Sequence, residues 1–269
     1  ESFRRHLADF SFIFEGRTAT IGCSIGVVLI DITCNSPSEV MSQADIACHL
    51  AKRGGRNRVH IFTGRDAGDV QTMLLDMGWS QRIKLALELD KFVLALQPVV
   101  ATRSRLIESF EVLVRMRDDD GSIIMPSGFL PTAERFGLSA DIDAWVIRHA
   151  IMHLADARQR GADVRYSINL SGQSFSVLAI AELIPQLIHD TGIDPAAITF
   201  EITETVAIAD MITAVALLSR LRTLGCLTAL DDFGSGMSSF AYLRELPVDI
   251  VKIDGRFVRN VANSPMDFA

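Results

Sequence analysis

The stretch Phe110-Glu111-Val112-Leu113-Val114-Arg115 alternates apolar and charged residues in a way that decides the fold. Successive side chains of a β-strand point to opposite faces, so Glu111 and Arg115 share one face and Val112 lies on the other. The same alternation recurs in three further stretches: 166–171, 198–203 and 250–254. Each of these strands therefore has an apolar face suited to packing beneath helices, and a second face that carries polar or charged groups.

Strand and helix patterns alternate from residue 92 to the end of the chain. The predicted strands are Phe92–Val100, Ser109–Met116, Tyr166–Ser171, Ile198–Thr203, Leu227–Phe233 and Ile250–Asp254. The predicted helices between them are Asp141–Arg160, Ile180–Thr191 and Ala207–Leu224. This order is typical of an α/β fold with a parallel sheet, either doubly wound or closed into a barrel. A doubly wound sheet needs two apolar faces, whereas a barrel opens onto a site at the carboxyl ends of its strands. The alternation favours the barrel.

The first 90 residues have a different pattern. We predict a strand at Thr18–Ile30, a helix at Ser38–Lys52 and a short strand at Arg58–Phe62 within a first domain, residues 1–64. Residues 65–90 have helical periodicity and are predicted to form a connecting helix. A second domain then spans residues 91–269.

Composition narrows the classes of function. With 49% hydrophobic residues the chain can bury a core, and a net charge of −7 with a pI near 5.4 argues against a nucleic-acid polymer as partner. We find neither a signal peptide nor an apolar run of the roughly 20 residues that a membrane span needs, so we expect a cytoplasmic fragment without membrane contact. The four cysteines form no CxxC pair, which argues against a zinc site: Cys23, Cys34, Cys48 and Cys226.

Oxygen-bearing side chains cluster in or at the ends of the predicted strands. They are Glu111, Asn169, Glu201, Asp231 and Asp232. Four carboxylates that converge in one barrel repel one another unless cations neutralise them, and Mg²⁺ and Mn²⁺ prefer hard oxygen ligands of this kind. The adjacent Asp231 and Asp232 could serve a pair of metal ions. Lys252 adds a positive group that could orient a water molecule or steady a phosphate.

These residues belong to motifs that resemble those of the EAL domain family over roughly residues 80–262. The matching pieces, in order, are Gln97-Pro98, Glu111-Val-Leu-Val-Arg115, Ser167-Ile-Asn-Leu-Ser171, Glu201-Ile-Thr-Glu204, Asp231-Asp-Phe-Gly-Ser-Gly236 and Val251-Lys-Ile-Asp254. EAL domains are modified β/α barrels that hydrolyse cyclic di-GMP to linear pGpG with Mg²⁺ or Mn²⁺. The resemblance therefore implies this fold, this reaction, two metal ions per active site and cyclic di-GMP as the partner.

The resemblance also implies roles for single residues. Glu111, Asn169, Glu201 and Asp231 would bind metal, with Asp231 shared and Asp232 on the second ion. Lys252 would position the attacking water, so that Lys252, Glu111 and Asp232 are the expected catalytic residues. The expected substrate-binding residues are Gln97, Leu113, Arg115 and Asp254. Glu204 would anchor the loop Phe233–Ser239, in which Gly234 and Gly236 permit a tight turn.

Residues 1–64 resemble the C-terminal part of a GGDEF domain. The matching pieces are Ser24-Ile-Gly-Val27, Ala44-Asp-Ile-Ala47 and Ala51-Lys-Arg-Gly-Gly-Arg-Asn57. In that family the positions of Lys52 and Arg56 approach the GTP phosphates, although a solvated helix end whose basic residues complement the helix dipole is the favoured interpretation. The resemblance also leads us to expect truncation at both ends, without the GGDEF signature and the last barrel strands.

Two residues depart from the EAL pattern. Val112 stands where the family name has Ala, and its parity places it on the helix-facing side, away from Glu111. Met237 stands where many members carry Tyr. The leading hypothesis is a phosphodiesterase, expected to form a homodimer through its EAL domains. The alternative is a catalytically silent cyclic di-GMP receptor, and a diguanylate cyclase is not supported because the nucleotide-binding half is missing.

Overall fold

The computed structural model of the 269-residue chain describes residues 1–8, 11–14, 17–20, 22–30, 37–63, 67–176, 178–234, 240–259 and 261. The chain divides into two compact units, Glu1–Trp79 and Ser80–Ala269. The division lies inside the segment that the sequence predicts as a connecting helix, so the two halves of that segment belong to different units.

The first unit contains two small sheets. Its elements are α1 (Ser2–Ala8), β1 (Ser11–Phe14), β2 (Arg17–Thr20), β3 (Ile25–Val27), α2 (Pro37–Arg53), β4 (Val59–Ile61) and the start of α3 (Ala67–Glu88). β1 and β2 are antiparallel, whereas β3 and β4 are parallel. The prediction of one strand at Thr18–Ile30 is therefore wrong: β2 and β3 pair with different partners. Gly26 in β3 lies so close to α2 that a Cβ there would approach the carbonyl oxygen of Ala44 to 2.3 Å.

The second unit is built on a seven-stranded sheet. Its strands are β5 (Phe92–Val100), β6 (Ile107–Arg117), β7 (Ile123–Ile124), β8 (Tyr166–Asn169), β9 (Ile198–Thr203), β10 (Leu227–Phe233) and β11 (Ile250–Ile253). The order across the sheet is β11-β10-β9-β8-β6-β5, with β7 paired to β6. β5 and β7 are antiparallel to β6, and the other neighbours are parallel. The α/β character predicted from the sequence is thus observed.

Helices connect the parallel strands. They are α4 (Leu130–Phe136), α5 (Ser139–Gln159), α6 (Leu178–Thr191), α7 (Glu204–Ala209), α8 (Met211–Thr223) and α9 (Gly255–Val258). The prediction of one helix at Ala207–Leu224 is wrong, because Asp210 interrupts it. Asp210 has an extended backbone (φ −146°), and its carboxylate accepts the N–H of Thr213 at 3.2 Å, which caps α8. Across the described part of the chain, none of the helices combines the length and hydropathy that a bilayer-crossing segment needs.

The winding of the sheet excludes the doubly wound alternative. The parallel strands follow chain order from β6 to β11, and right-handed crossovers then place every connecting helix on one face. A doubly wound sheet instead reverses its strand order at a switch point. The predicted closure into a barrel is not found among the described residues, where β5 pairs only with β6 and β11 only with β10. A barrel closes only when its edge strands are joined through hydrogen bonds, so what the structure describes is an open sheet.

Strand alternation sorts the two faces of this sheet as the sequence predicts. One row of paired residues, Val112, Ile168, Phe200 and Thr228, crosses four strands and is almost completely buried. Burying one Val, Ile or Phe side chain stabilises the fold by about 1.5–3 kcal/mol. The neighbouring positions Ser167, Thr199 and Glu201 point to the other face, where the polar side chains collect.

Candidate active site

The pairing register brings the predicted metal ligands to one face of the sheet. Asn169 on β8 pairs with Glu201 on β9, and Glu201 pairs with Ala229 on β10. Glu111 lies one row nearer the amino ends of the parallel strands, and Asp231 lies one row nearer their carboxyl ends. Because the rows are two residues apart along each strand, all these side chains emerge on the same face.

Lys252 on β11 is at the centre of this group. Its ammonium group donates hydrogen bonds to Glu201 Oε2 and, at 3.0 Å, to Glu111 Oε2, and it lies 3.3 Å from Asp231 Oδ2. One carboxylate oxygen from each of the three acids lies within 4.8 Å of the other two. Asn169 completes the group, since its Nδ2 donates to Glu111 Oε1 at 3.1 Å. Of the residues predicted to bind metal, four therefore converge with Lys252, namely Glu111, Asn169, Glu201 and Asp231; Asp232 is not part of this cluster.

Three carboxylates against one ammonium group leave this cluster with excess negative charge. Burial raises the pKa of Glu201; the ammonium of Lys252 acts in the opposite direction, and the Glu111 carboxylate adds to the rise. Burial alone would lower the pKa of Lys252, but the Glu201 and Glu111 carboxylates hold it above its ordinary value. Lys252 is therefore charged at neutral pH. A group of hard oxygen donors with surplus negative charge is suited to a divalent cation.

A β-bulge separates Asp231 from Asp232. The register between β10 and β11 shifts between Leu230 and Phe233, and Asp232 has a φ of +54°, which non-glycine residues adopt at a cost in energy. The N–H of Asp232 donates to Asp231 Oδ1 at 2.9 Å. The bulge changes the direction of the exposed Asp232 relative to regular strand alternation. Burial raises the pKa of Asp232, and the charges of Asp231 and Asp254 raise it further.

Glu204 links the two segments on either side of residues 235–239. It is buried at the start of α7, and its carboxylate accepts the N–H of Gly234 at 2.9 Å and the hydroxyl of Tyr242 at 2.5 Å. Residues 235–239, which include Gly236 and Met237 of the predicted loop, lie outside the described residues. Sequence reasoning identified Glu204 but not Tyr242, because a hydrogen bond across 38 residues leaves no local pattern.

The predicted substrate-binding residues fall into two groups. Gln97 pairs directly with Glu111 across β5 and β6, while Leu113 and Arg115 follow on the Glu111 face of β6. Arg115 donates from Nη1 to the carbonyl oxygen of Val114 at 2.8 Å. Asp254 belongs to a different segment, since β11 ends at Ile253 and Asp254 caps α9. The predicted strand Ile250–Asp254 is therefore one residue too long.

The structure also contains a cavity that the sequence did not predict. It measures about 700 Å³ and its wall includes Leu113, Asn169 and Asp143. The carboxylate of Asp143 accepts hydrogen bonds from the N–H of Ser171 at 2.8 Å and from the Ser174 hydroxyl at 2.5 Å, and burial raises its pKa. The sequence signal that could have identified Asp143 is an acidic residue directly after the buried Ile142 of α5. The cavity extends the candidate site toward the helix layer.

The position of Val112 shows which face of β6 is covered by helices. Its side chain is 2% exposed and lines the cavity together with Ile142 and Val146 of α5, so it lies on the helix side of β6. We expect Val112→Ala to lower the free energy of unfolding by about 0.5–1.5 kcal/mol, because a small buried apolar volume is lost. Urea unfolding measures that change. Mn²⁺ affinity and turnover should stay close to wild type; activity that appears only in the variant would show that Val112 crowds the site instead.

Comparison with known proteins assigns the second unit to a family. The family model described as EAL domain matches residues 80–269. Cyclic di-GMP phosphodiesterase PdeB of Shewanella oneidensis is 40% identical over 250 residues, which cover 93% of this chain and 29% of PdeB. Cyclic di-GMP phosphodiesterase PdeF of Escherichia coli is 30% identical over 268 residues, which cover 98% of this chain and 35% of PdeF. The chain thus spans about a third of the length of these relatives.

Solved structures of EAL proteins are also similar to this chain. The PaMucR phosphodiesterase in complex with c-di-GMP has a TM-score of 0.66 and 30% identity, and the match covers 71% of this chain and 78% of that one. The FimX EAL domain of Pseudomonas aeruginosa bound to c-di-GMP has a TM-score of 0.64 and 30% identity, covering 71% and 76%. Since the family model spans well over half of the chain and the same motifs form the site, this chain belongs to the EAL domain family.

Proposed function

We propose that this chain hydrolyses cyclic di-GMP to linear pGpG with two Mg²⁺ or Mn²⁺ ions in the active site. The observation that carries the proposal is the convergence of Glu111, Glu201 and Asp231 around Lys252, with carboxylate oxygens within 4.8 Å of one another. The names of the relatives PdeB and PdeF, both cyclic di-GMP phosphodiesterases, support it. The chain spans only part of those proteins, so the activity is proposed for this chain by similarity.

The donor set fits divalent cations. Glu111, Asn169, Glu201 and Asp231 would hold one ion, and Asp231 and Asp232 would hold the second. All are oxygen donors of the kind that Mg²⁺ and Mn²⁺ prefer. When bound, the ions would stabilise negative charge on the phosphoryl oxygens and make a water molecule more acidic. The surplus negative charge of the cluster would be neutralised at the same time.

The chain's own residues would position the reactants. The oxygen of a water molecule forms a bond to phosphorus, the bond from phosphorus to the 3′ oxygen breaks, and that oxygen takes up a proton. Lys252, which is charged and can donate three hydrogen bonds, would orient the water and steady the phosphate. Gln97, Leu113, Arg115 and Asp254 would hold the ligand. The cavity beside Leu113 and Asn169 has the size of known small-molecule pockets.

The proposal also covers the domains of the chain and their assembly. We assign residues 1–64 to the C-terminal part of a GGDEF domain, 65–90 to a connecting helix and 91–269 to the EAL domain. Lys52 and Arg56 would lie near nucleotide phosphates in a complete GGDEF domain. Glu204 would anchor the loop beside the metal ions, and the EAL domains would form a cytoplasmic homodimer. Each of these rests on the motif resemblance described above.

Incubation of the full-length protein with cyclic di-GMP and Mg²⁺ tests the proposed function. We expect linear pGpG to accumulate and its production to stop when EDTA removes the cations. Chromatography separates the cyclic substrate from the linear product. A protein that binds cyclic di-GMP but never cleaves it, with Mg²⁺ and Mn²⁺ both supplied, would be a receptor and the proposal would be wrong.

A further inference from the structure

The Asp254 carboxylate is held largely by a single residue. One of its oxygens accepts the backbone N–H of Arg256 at 2.8 Å, which caps α9. Its other oxygen accepts Nε of Arg256 at 2.9 Å and lies 2.8 Å from Nη2. A carboxylate has roughly four lone-pair positions, so Arg256 occupies most of them. The side chain of Asp254 is 13% exposed and that of Arg256 is 64% exposed, so the guanidinium lies on the solvent side of the carboxylate.

This pair lies directly beside the candidate metal ligands. The backbone N–H of Asp254 donates to the carbonyl oxygen of Phe233 at 3.1 Å, so Asp254 is bonded to the residue that follows Asp232. The hydrogen bond between Asp254 and Phe233 therefore holds the Asp254–Arg256 pair against the strand end that carries Asp232, the acid expected to hold the second ion.

We propose that Arg256 is a positioning residue that keeps the Asp254 carboxylate away from the metal ions and thereby limits the affinity of the site for divalent cations. The inference rests on the proposed function, since it assigns a role within the same site. Without the guanidinium, Asp254 would retain its backbone cap but would become an unneutralised carboxylate next to Asp232. Such a carboxylate increases the negative field and is itself a ligand that a divalent cation accepts.

Arginine is suited to this role by its shape as well as its charge. Its planar fork donates two parallel hydrogen bonds to one carboxylate and fixes the orientation of that carboxylate. A lysine at the same place would supply a point charge on a flexible stem and would hold the carboxylate less firmly. The charge and the planar shape of Arg256 therefore contribute separately to holding the Asp254 carboxylate. Arg256→Lys keeps the charge and removes the planar shape, so it distinguishes the two.

Calorimetric titration with Mn²⁺ alone tests the inference. We expect Arg256→Gln to tighten apparent Mn²⁺ binding by about twofold to fivefold, the size of one partly exposed charge interaction. Arg256→Lys should tighten it less. In an Asp254→Asn background the Arg256→Gln change should have almost no effect, because no carboxylate remains to be released. Arg103→Gln, which removes an exposed charge from the turn between β5 and β6, is the matched control and should leave Mn²⁺ affinity unchanged.

Two results would overturn the inference. One is unchanged or weaker Mn²⁺ binding by Arg256→Gln; the other is an equal effect of that change with and without Asp254. Circular dichroism checks folding, and Arg256→Lys still tests the inference if the Gln variant unfolds. Because the titration contains no nucleotide, its outcome is independent of hydrolysis: a protein that binds Mn²⁺ as expected but does not cleave cyclic di-GMP contradicts only the proposed function.

Discussion

Glu111→Gln should weaken Mn²⁺ binding by roughly a hundredfold or more and reduce turnover by orders of magnitude. The substitution keeps the size of the side chain but removes its charge. Glu111 accepts hydrogen bonds from both Lys252 and Asn169, so the variant loses a carboxylate ligand and disturbs two neighbours of the same site. Calorimetry measures the loss of Mn²⁺ affinity, and release of pGpG measures the loss of turnover.

Glu108→Gln is the matched control for this experiment. Glu108 lies on the same strand, β6, three residues before Glu111; it is exposed and lies at the irregularity where the pairing of β6 with β5 shifts. The control should bind Mn²⁺ and turn over substrate like the wild type, since the same charge is removed outside the site. Normal Mn²⁺ binding by Glu111→Gln, or an equal loss in both variants, would place the metal site somewhere else.

Lys252→Met should abolish turnover and also destabilise the cation-free protein. The side chain of Lys252 is 27% exposed and serves three carboxylates, of which Glu201 is almost completely buried. Removing one partner of a buried ion pair costs about 3–5 kcal/mol, and partial exposure reduces this to roughly 2–4 kcal/mol. Binding of cyclic di-GMP should be largely retained, because Lys252 is assigned to the chemical step. Urea unfolding in EDTA measures the stability change.

The destabilisation should depend on pH and on cations in a defined direction. Burial already raises the pKa of Glu201, and loss of the ammonium raises it further. A carboxyl group whose folded-state pKa is raised contributes stability at low pH that is lost as pH rises through that pKa. The deficit of Lys252→Met should therefore shrink as pH falls, and Mg²⁺ should stabilise the variant more than the wild type.

Lys91→Met serves as the control, because Lys91 pairs with the exposed Asp119. An exposed pair contributes about 0–1 kcal/mol, so this variant should unfold almost like the wild type and should show no special response to Mg²⁺. A Lys252→Met protein with wild-type stability in EDTA would show that Lys252 does not neutralise the three acids.

The sequence predicted the strands of the site and the direction of their faces correctly. Period-two alternation depends on neighbouring residues alone, so the strands around Glu111, Asn169 and Glu201, their apolar and polar faces, and the choice against a doubly wound sheet could all be derived from it. The same parity placed Val112 beneath the helices. The motif order then assigned the chain to its family before any contact was known.

Errors arose where a distant partner or a capping group overrides the local pattern. The apolar run Thr18–Ile30 is divided because β2 and β3 pair with different strands, and the long helix after β9 is broken by the cap at Asp210. The bulge at Asp232 arises from the pairing of β10 with β11. Barrel closure depends on edge-strand pairing that the described residues do not contain.

The sequence by itself determined which residue types this site uses and on which strand faces they lie. Only the tertiary structure decided how they meet: the ammonium of Lys252 reaches Glu111 across 141 residues of chain, and the hydroxyl of Tyr242 reaches the Glu204 carboxylate across 38 residues. The physical reason is that alternation is fixed by backbone geometry within a few residues, whereas these contacts depend on strand register and on caps between segments far apart in the sequence.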